Sequence, residues 1–313
     1  MSECIKTDKP QILILMAVYE PEPDWLRAQL KSLNAQTYPN LRLHIRDDCS
    51  HVISYEQIQS CVRDCISAFP YEMTRNEQNI GSNKTFERLT QGASGPLVAY
   101  CDQDDIWLPE KLATLEHSLT PDVQLAYCDM QVIDGSGRKT ADSLRLARPR
   151  LHYRSGLGQA PYYTFANCTA GCCMLMRADV AKRAVPFPEK TVCDQWLCMV
   201  AAHSGAIAFV NRPLMQYRIH SGNQTGILTG VETKSDYRLK RLLPMWERAV
   251  EFDRRFGLPP RAMAFAKGRL KGRLGAIFRY RTLCEKDAYF ELAMRVLPEV
   301  LFRRLLKRMK RVT

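Results

Sequence analysis

Short apolar runs alternate with amphipathic segments over the first half of the chain. Each apolar run has the length of a buried strand, and the segments between them repeat their apolar positions every three to four residues, as helices do. The predicted strands are Ile12–Val18, Leu41–Arg46, Tyr71–Arg75, Leu97–Cys101 and Val123–Cys128. Helices are predicted from Pro23, through Ile58, through Phe86 and from Pro109. This alternation predicts an α/β fold with a Rossmann-like, mostly parallel sheet flanked by helices.

In the second half of the chain the regular spacing of apolar residues is first lost and later replaced by a basic, helical pattern. Residues 134–163 are rich in glycine, arginine and proline and show little periodicity, which predicts a mobile loop bordering a site. A helix Gln195–His203, ended by Gly205, and a strand Ala206–Val210 then restore regular structure. Beyond about Lys234 the pattern is wholly helical and basic. We therefore expect two domains, residues 1–233 and residues 234–313.

The net charge of +12 is concentrated in the second of these regions. Residues 234–313 contain 22 Lys and Arg against 8 Asp and Glu, a balance of +14, which leaves 23 against 25, or −2, for residues 1–233. After residue 300 a basic helix is predicted whose apolar face consists of Leu301, Leu305, Leu306, Met309 and Val312. Such a helix is typical of one that lies in an anionic membrane surface. Packing of this helix on the first domain is the alternative.

The sequence shows neither a membrane span nor a disulfide pattern. Its N-terminal apolar run is short, whereas a spanning helix needs about 20 residues, and the run lacks the flanks of a secretory signal. The twelve cysteines include no CxxC pair, and several lie in apolar stretches, which is typical of reduced, buried thiols. We expect a cytoplasmic protein, peripheral on the cytoplasmic face of the membrane.

Acidic residues collect where the predicted strands end. Asp47 and Asp48 follow the second strand, and Asp102, Asp104 and Asp105 follow the fourth. If strand geometry persists as far as Asp104, the carboxylates of Asp102 and Asp104 point to one face. Paired carboxylates suit Mg²⁺ or Mn²⁺. Solvated loop acids, or caps for the following helix, are the alternative.

Five short segments occur in a particular order between residues 11 and 226. They are Ala17-Val18-Tyr19-Glu20-Pro21, Gln36-Thr37-Tyr38-Pro39-Asn40 running into Arg46-Asp47-Asp48-Cys49-Ser50, Asn79-Ile80-Gly81, Tyr100–Lys111 and Tyr217–Asn223. In order and spacing they resemble the family 2 glycosyltransferases of the GT-A fold, and most closely their rhamnosyltransferase-like branch. One departure is Cys49, which stands where the family usually has glycine.

The resemblance implies roles for particular residues. It implies that a nucleoside-diphosphate sugar is bound by Val18, Tyr19, Glu20, Asp47, Asp48, Asn79, Gly81, Asp102 and Gln103. It further implies that Asp102, Asp104 and His220 ligate the divalent cation. A surface or core histidine is the alternative reading of His220.

Asp194 is the predicted catalytic base. It directly precedes the predicted helix Gln195–His203, and the resembled family places a catalytic Asp at such a helix start. An N-cap, for which Asp is well suited, is the alternative. The family often has Glu before this Asp, but the chain has Cys193, so Asp194 is the only plausible acid in the motif. One base and no enzyme nucleophile imply a single displacement with inversion, as in the family.

The predicted reaction moves a sugar to a hydroxyl of a surface-glycan or lipid-linked acceptor. Rhamnose from dTDP-rhamnose is the first expectation, and a UDP-hexose or UDP-N-acetylhexosamine is the alternative donor. Nucleotidyl transfer lacks support, because no P-loop and no second acidic pair are present. A basic nucleic-acid-binding protein is the remaining alternative. We expect no nucleic-acid partner, because no such motif occurs and the acidic strand ends would repel phosphates.

Overall fold

The computed structural model of the chain describes residues 9–148, 151–220 and 230–311, with side chains as far as residue 307. The chain divides into two compact units, each treated below by itself. The sheet unit comprises Met1–Gln159, Cys168–Phe187 and Val192–His220. The helical unit comprises Ala160–Asn167, Pro188–Thr191 and Ser221–Thr313.

One sheet, with nine strands among the described residues, forms the core of the sheet unit. The strands are β1 Ile12–Val18, β2 Leu41–Asp47, β3 Tyr71–Arg75, β4 Leu97–Cys101, β5 Ile106–Trp107, β6 Val123–Ile133, β7 Lys139–Ala141, β8 Met174–Arg177 and β9 Ala206–Arg218. Their order is β3-β2-β1-β4-β8-β6-β9-β5, and β7 pairs with β6. Strands β1, β2, β3, β4, β6 and β9 run in one direction, whereas β5, β7 and β8 oppose them. The expected α/β class with a mostly parallel sheet is confirmed, and the antiparallel strands β5, β7 and β8 make the sheet a mixed one.

Helices cover this sheet because their apolar faces need burial. They are α1 Pro23–Asn34, α2 Tyr55–Cys65, α3 Ser82–Gln91, α4 Lys111–His117, α5 Leu144–Ala147, α7 Ala178–Arg183 and α8 Cys193–Ser204. Pro23 stands at the first position of α1, where its missing N–H removes no bond, and the Glu22 carboxylate accepts the N–H of Trp25. Ser54 and Gln57 form a capping box at the start of α2.

The helical unit contains α6 Ala160–Phe165, α9 Lys234–Tyr237, α10 Leu243–Phe256, α11 Pro260–Lys271, α12 Leu274–Arg279, α13 Glu285–Val296 and α14 Glu299–Arg311. Arg269 is buried and donates to Glu291 at 2.6 and 2.9 Å, and Tyr237 donates to the same carboxylate at 2.9 Å. Removing Arg269 would leave the Glu291 carboxylate buried without its cationic partner, so this network ties α9, α11 and α13 together. No helix among the described residues is both long and apolar enough to cross a bilayer.

Two sequence predictions need correction. Residues 134–163 are not one irregular loop, because β7 pairs with β6 and α5 follows. In the same stretch the Tyr153 ring stacks on the Phe209 ring, with centroids 4.4 Å apart. The second error concerns Pro109, since the helix predicted to begin there begins at Lys111.

Helix α8 ends as predicted, but for a different reason. Gly205 follows Ser204, yet its backbone is extended and not left-handed. A Cβ at Gly205 would lie 2.6 Å from the carbonyl oxygen of Asp122. Close approach of two backbones, and not a positive φ, therefore requires glycine here.

Candidate active site

Three chain segments that are distant in sequence meet at the carboxyl edge of the sheet. Because β1, β4 and β9 run in the same direction, their C-terminal ends lie at one edge, where open α/β sheets bind ligands. After β4 the chain crosses to β9, since the two residues of β5 pair with Gln216 and Met215. The loop Asp102–Asp105 thereby reaches the end of β9.

The acidic loop does not continue strand β4. The strand ends at Cys101, so the alternation that would align Asp102 with Asp104 stops before it reaches them. Ligating atoms of Asp102, Asp105 and Cys172 instead lie within 4.8 Å of one another. Asp104 meets His220, whose Nε2 lies 2.8 Å from the Asp104 Oδ2. The predicted metal residues are thus divided between two adjacent groups.

Arg218 holds the acidic loop, a role that the sequence did not reveal. Its backbone N–H donates to Asp105 Oδ1 at 3.0 Å, and its Nε donates to the carbonyl oxygen of Asp104 at 2.7 Å. Its Nη1 donates to the carbonyl oxygen of Asp134 at 3.0 Å. A single side chain therefore fixes the acidic loop and the turn after β6. The signal available in the sequence was only its place two residues before His220.

The electrostatics of the loop favour a bound cation. Burial raises the pKa of Asp102 to about 6, and Asp104 contributes further. Burial, followed by Asp104 and Asp102, holds the pKa of Asp105 well above its usual range. Asp105 Oδ2 is buried without a hydrogen-bond partner among the described residues. A divalent cation would relieve the repulsion among the three carboxylates, and one held by Asp102, Asp105 and Cys172 would also give Asp105 Oδ2 a partner. The oxygen donors of the loop fit Mg²⁺ or Mn²⁺.

Trp25 supports the group around His220 from helix α1. The Trp25 and His220 rings lie 4.7 Å apart, and the Arg218 guanidinium lies 5.1 Å from the Trp25 ring centroid. The indole N–H donates to the carbonyl oxygen of Gly135 at 3.0 Å. An open cleft of about 550 Å³ adjoins these groups; it is lined by Glu22, Asp24, Trp25, Gly135, Ser136, Gly137 and Arg218.

The motif after β1 is built into the same edge. Gln103 pairs with the backbone of Tyr19, accepting its N–H at 2.8 Å and donating to its carbonyl oxygen at 3.0 Å. Glu20 has a left-handed φ of 41°, and its carboxylate accepts the N–H groups of His51, Val52 and Ile53. Desolvation raises the pKa of Glu20, but the three N–H donors together lower it by more, so the pKa lies below its usual value. Glu20 therefore orders the loop after β2.

Asp47 and Asp48 are buried and serve as hydrogen-bond centres. Asp47 pairs with Arg75 at 3.1 Å and accepts the Ser50 hydroxyl at 2.6 Å. Asp48 accepts the backbone N–H groups of Ile80 at 2.9 Å and Gly81 at 2.8 Å. The Asn79 side chain also accepts the N–H of Gly81, at 3.1 Å. The backbone N–H of Asp48 also donates to the carbonyl oxygen of Val18 at 2.8 Å, so these residues lie together where β1 and β2 end.

The turn after Asp48 keeps the geometry of a glycine. Cys49 has a φ of 64°, the left-handed region that glycine adopts without cost. Its thiol donates to the carbonyl oxygen of Glu77 at 3.4 Å. The sequence departs from the resembled pattern at this position, but the turn is retained.

Asp194 lies in the first turn of α8 and is not its N-cap. Val192 occupies the N-cap position, and Asp194 is the second helical residue. A Cβ placed on Gly171 would lie 3.9 Å from the Cβ of Asp194, which sets this acid beside the segment that carries Cys172. Asp194 and Asp102 both raise the pKa of the intervening Cys193 thiol, after the larger effect of its burial. The structure thus brings the predicted base and the acidic loop together.

A buried lysine was missed by sequence reasoning. Lys111 is fully buried, and its Nζ lies 3.1 Å from the Trp107 ring centroid and donates to the carbonyl oxygen of Cys172. Burial lowers the pKa of Lys111. It braces the segment next to Asp102 and Asp105. Its neighbours in sequence, Pro109 and Glu110, give no sign of this burial.

Known proteins share sequence with this chain. Residues 13–183, more than half of the chain, match the description "Glycosyl transferase family 2". An uncharacterized glycosyltransferase of Nostoc sp. is 27% identical over 208 residues, which are 64% of this chain and 62% of that protein. The chain thus spans less than two thirds of that relative's length.

Solved structures share the fold. Staphylococcus aureus TarS 1–349 in complex with UDP-GlcNAc is similar with a TM-score of 0.59 at 17% identity, over 89% of this chain and 82% of that chain. The mannosyltransferase PcManGT from Pyrobaculum calidifontis, in complex with GDP-Man and Mn²⁺, gives a TM-score of 0.58 at 14% identity, over 97% and 81%. At these identities the likeness shows the fold alone.

Proposed function

Because the chain belongs to glycosyl transferase family 2, we propose that it transfers a sugar from a nucleoside diphosphate to an acceptor hydroxyl. One observation carries the proposal. The acidic loop Asp102–Asp105, His220 and Asp194 converge at the carboxyl edge of the sheet, where the fold binds ligands. The nucleotide-sugar is bound by Val18, Tyr19, Glu20, Asp47, Asp48, Asn79, Gly81, Asp102 and Gln103.

Asp194 acts as the general base. Its carboxylate takes the proton of the acceptor hydroxyl while that oxygen bonds to the anomeric carbon. The bond from this carbon to the diphosphate breaks, and its electron pair leaves with the diphosphate. One displacement inverts the anomeric configuration. Support comes from the rigid position of Asp194 in the first turn of α8, and such a base contributes about 10²–10⁴-fold.

The cation is held by Asp102, Asp104 and His220. The Asp104–His220 hydrogen bond of 2.8 Å supports this set, because both groups already meet at one point. When bound, Mg²⁺ or Mn²⁺ neutralises the charge that grows on the departing diphosphate. Arg218 and Trp25 position these ligands. The cluster of Asp102, Asp105 and Cys172 is the competing set.

A dTDP-linked deoxyhexose, rhamnose first, is the proposed donor. The motifs of the rhamnosyltransferase-like branch support it, from Tyr100–Lys111 above all. UDP-GlcNAc and GDP-Man, the ligands of the two similar solved structures, are the alternatives to test beside it. The acceptor is a hydroxyl of a surface glycan or of a lipid-linked glycan.

We further propose that the basic C-terminal region associates with the cytoplasmic face of an anionic membrane. The balance of +14 over residues 234–313 supports this. The terminal helix predicted to insert is less available than the sequence suggested, because Phe302 and Leu306 are buried. Leu305 is half-buried, and the side chains of Met309 and Val312 lie outside the described residues.

A donor panel tests the proposal. The purified protein is incubated with one donor at a time, in the presence and in the absence of Mn²⁺, and its thermal unfolding is followed. The donors are dTDP-rhamnose, UDP-GlcNAc, UDP-glucose and GDP-mannose. A donor at 100 times its Kd adds about 2.7 kcal/mol to the free energy of unfolding. We expect one donor class to raise Tm only when cation is present. Indifference to every nucleotide-sugar would contradict the proposal.

A further inference from the structure

The helical unit carries a basic surface segment without acids. Residues 271–281 contain Lys271, Arg273, Arg279 and Arg281 and neither Asp nor Glu. The first three side chains are exposed, and Arg281 is half-buried. None of the four forms a salt bridge with a described residue. These four side chains therefore have no close ionic partner among the described residues.

Large apolar side chains stand exposed within the same segment. Leu274 is 46% exposed and Phe278 is 55% exposed. Being four residues apart on α12, they lie on one face of the helix. Ile277 is fully buried and holds α12 against its unit, so the Leu274–Phe278 face stays outward.

Arg281 fixes the Phe278 ring at the surface and extends the face to α13. Its guanidinium carbon lies 4.3 Å from the Phe278 ring centroid, and its Nη1 donates to the Phe278 carbonyl oxygen at 2.9 Å. Its Nε donates to the hydroxyl of Tyr289 at 3.2 Å, and Tyr289 is 53% exposed. Leu274, Phe278, Arg281 and Tyr289, with the basic residues Lys271, Arg273 and Arg279, are called the α12 patch below.

The terminal helix α14 exposes no aromatic side chain among its described residues, although Arg304 and Lys307, like Val300 and Leu301, are exposed. Its larger apolar residues, Phe302 and Leu306, are buried, and the Phe290 and Phe302 rings lie 6.1 Å apart. Arg303 is paired with Glu299 at 3.5 Å. Only Val300 and Leu301 remain exposed among its described apolar side chains.

We propose that the α12 patch docks on an anionic lipid bilayer. Leu274, Phe278 and Tyr289 enter the interface between headgroups and acyl chains, where aromatic and aliphatic side chains are favoured. The four basic side chains contact lipid phosphates near the surface. The inference rests on the proposed membrane association of the basic region and assigns it a surface.

Vesicle binding of three full-length variants tests the docking surface. The apolar variant Leu274→Ser/Phe278→Ser and the charge variant Arg273→Gln/Arg279→Gln change the α12 patch. The matched control, Val300→Ser/Leu301→Ser, removes side chains of similar exposure, 63% and 44%, from α14. Co-sedimentation is measured with phosphatidylcholine vesicles and with vesicles containing phosphatidylglycerol, at low and high salt. Tm and donor-induced stabilisation are recorded for each variant.

We expect both α12 variants to lower partition into anionic vesicles by at least about tenfold, while the α14 control retains it. Salt should weaken the binding of the apolar variant more steeply than that of the charge variant, since screening acts only on charge. An equal loss of vesicle binding in the α14 control would overturn the inference. So would binding of a single-stranded nucleic acid that is tighter than vesicle binding and is lost in the same α12 variants.

Two failures are distinguishable. A protein that ignores anionic vesicles but is stabilised by a nucleotide-sugar refutes the docking surface and leaves the proposed transfer reaction standing. A protein that binds vesicles through α12 but no nucleotide-sugar refutes the reaction alone.

Discussion

The imidazole Nε2 of His220 lies 2.8 Å from the Asp104 Oδ2, although 116 residues separate the two in sequence. The contact exists because β4 and β9 run in the same direction and β5 leads the acidic loop to the end of β9. It joins two residues proposed as cation ligands and leads to the first prediction.

Substitution of Asp104 or His220 by alanine should weaken Mn²⁺ binding at least about tenfold, since each removes a proposed ligand. Cys172→Ala should leave binding nearly unchanged, because Cys172 belongs to the competing cluster. Calorimetric titration of Mn²⁺ into each variant measures this. Loss of binding in Cys172→Ala with retention in His220→Ala would move the cation to Asp102 and Asp105, and full turnover in EDTA would remove it altogether.

Substitution of Asp194 by asparagine should lower kcat by at least about 10² and leave donor binding intact. Stability should change little, because Val192 and not Asp194 is the N-cap of α8. Asp179→Asn is the matched control, an exposed first-turn acid of α7. Steady-state kinetics measure kcat for both variants, and donor-induced shifts in Tm measure donor binding. A variant that unfolds would show that Asp194 has a structural role.

Cation affinity should fall as the pH drops from 7 to 5. Burial raises the pKa of Asp102 to about 6, so below that pH the carboxyl carries a proton that the cation must displace. The folding stability of the cation-free protein should depend on pH in the opposite direction. A carboxyl with a folded pKa above its unfolded value favours the folded state at low pH, so its contribution to stability declines as the pH rises from about 4 through 6. Mn²⁺ titrations and chemical unfolding at several pH values measure both trends. A pH-independent affinity would exclude Asp102 as a ligand.

Glycine should be tolerated at position 49, whereas valine should destabilise the fold by about 1–2 kcal/mol. The φ of 64° at Cys49 is free of steric cost for glycine and unfavourable for a β-branched side chain. Cys61→Val, at a buried position inside α2, serves as the control for loss of a thiol. Urea unfolding gives the free energies. Equal destabilisation by both valines would show that the left-handed turn is not the cause.

Phe302→Ala should lower the free energy of unfolding by about 3–5 kcal/mol, because its side chain is fully buried beside Phe290. Deletion of residues 300–313 should destabilise the helical unit for the same reason, so deletion is a poor test of membrane binding. Leu301→Ala, at a 44% exposed position, should cost no more than about 0.5 kcal/mol. Thermal unfolding of both variants provides the measurement, and similar Tm values would contradict burial of Phe302.

Much of the local structure was predictable from the sequence, because strands and helices follow from the spacing of apolar residues. The strands Ile12–Val18, Tyr71–Arg75 and Leu97–Cys101 have the predicted bounds. The acidic residues after the strands and the excess of basic residues in the last quarter of the chain could also be read from the sequence, because both depend only on which residues are neighbours along the chain. The short strand β5 was missed, because two residues carry no periodicity.

The tertiary structure decided which of these residues meet. Whether Asp104 or Asp105 points to His220 depends on where β4 ends and on the pairing of β5 with β9, which no local pattern contains. Arg218 and Lys111 appeared as ordinary basic residues until the fold buried their contacts with Asp104, Asp105 and Cys172. An apolar face of the terminal helix was predicted, but only packing determined that Leu306 turns inward and Leu301 does not. Phe302, which the predicted face did not include, is buried beside Phe290 of another helix. Periodicity records which side of an element avoids water, whereas the surface that covers that side is set by contacts between distant parts of the chain.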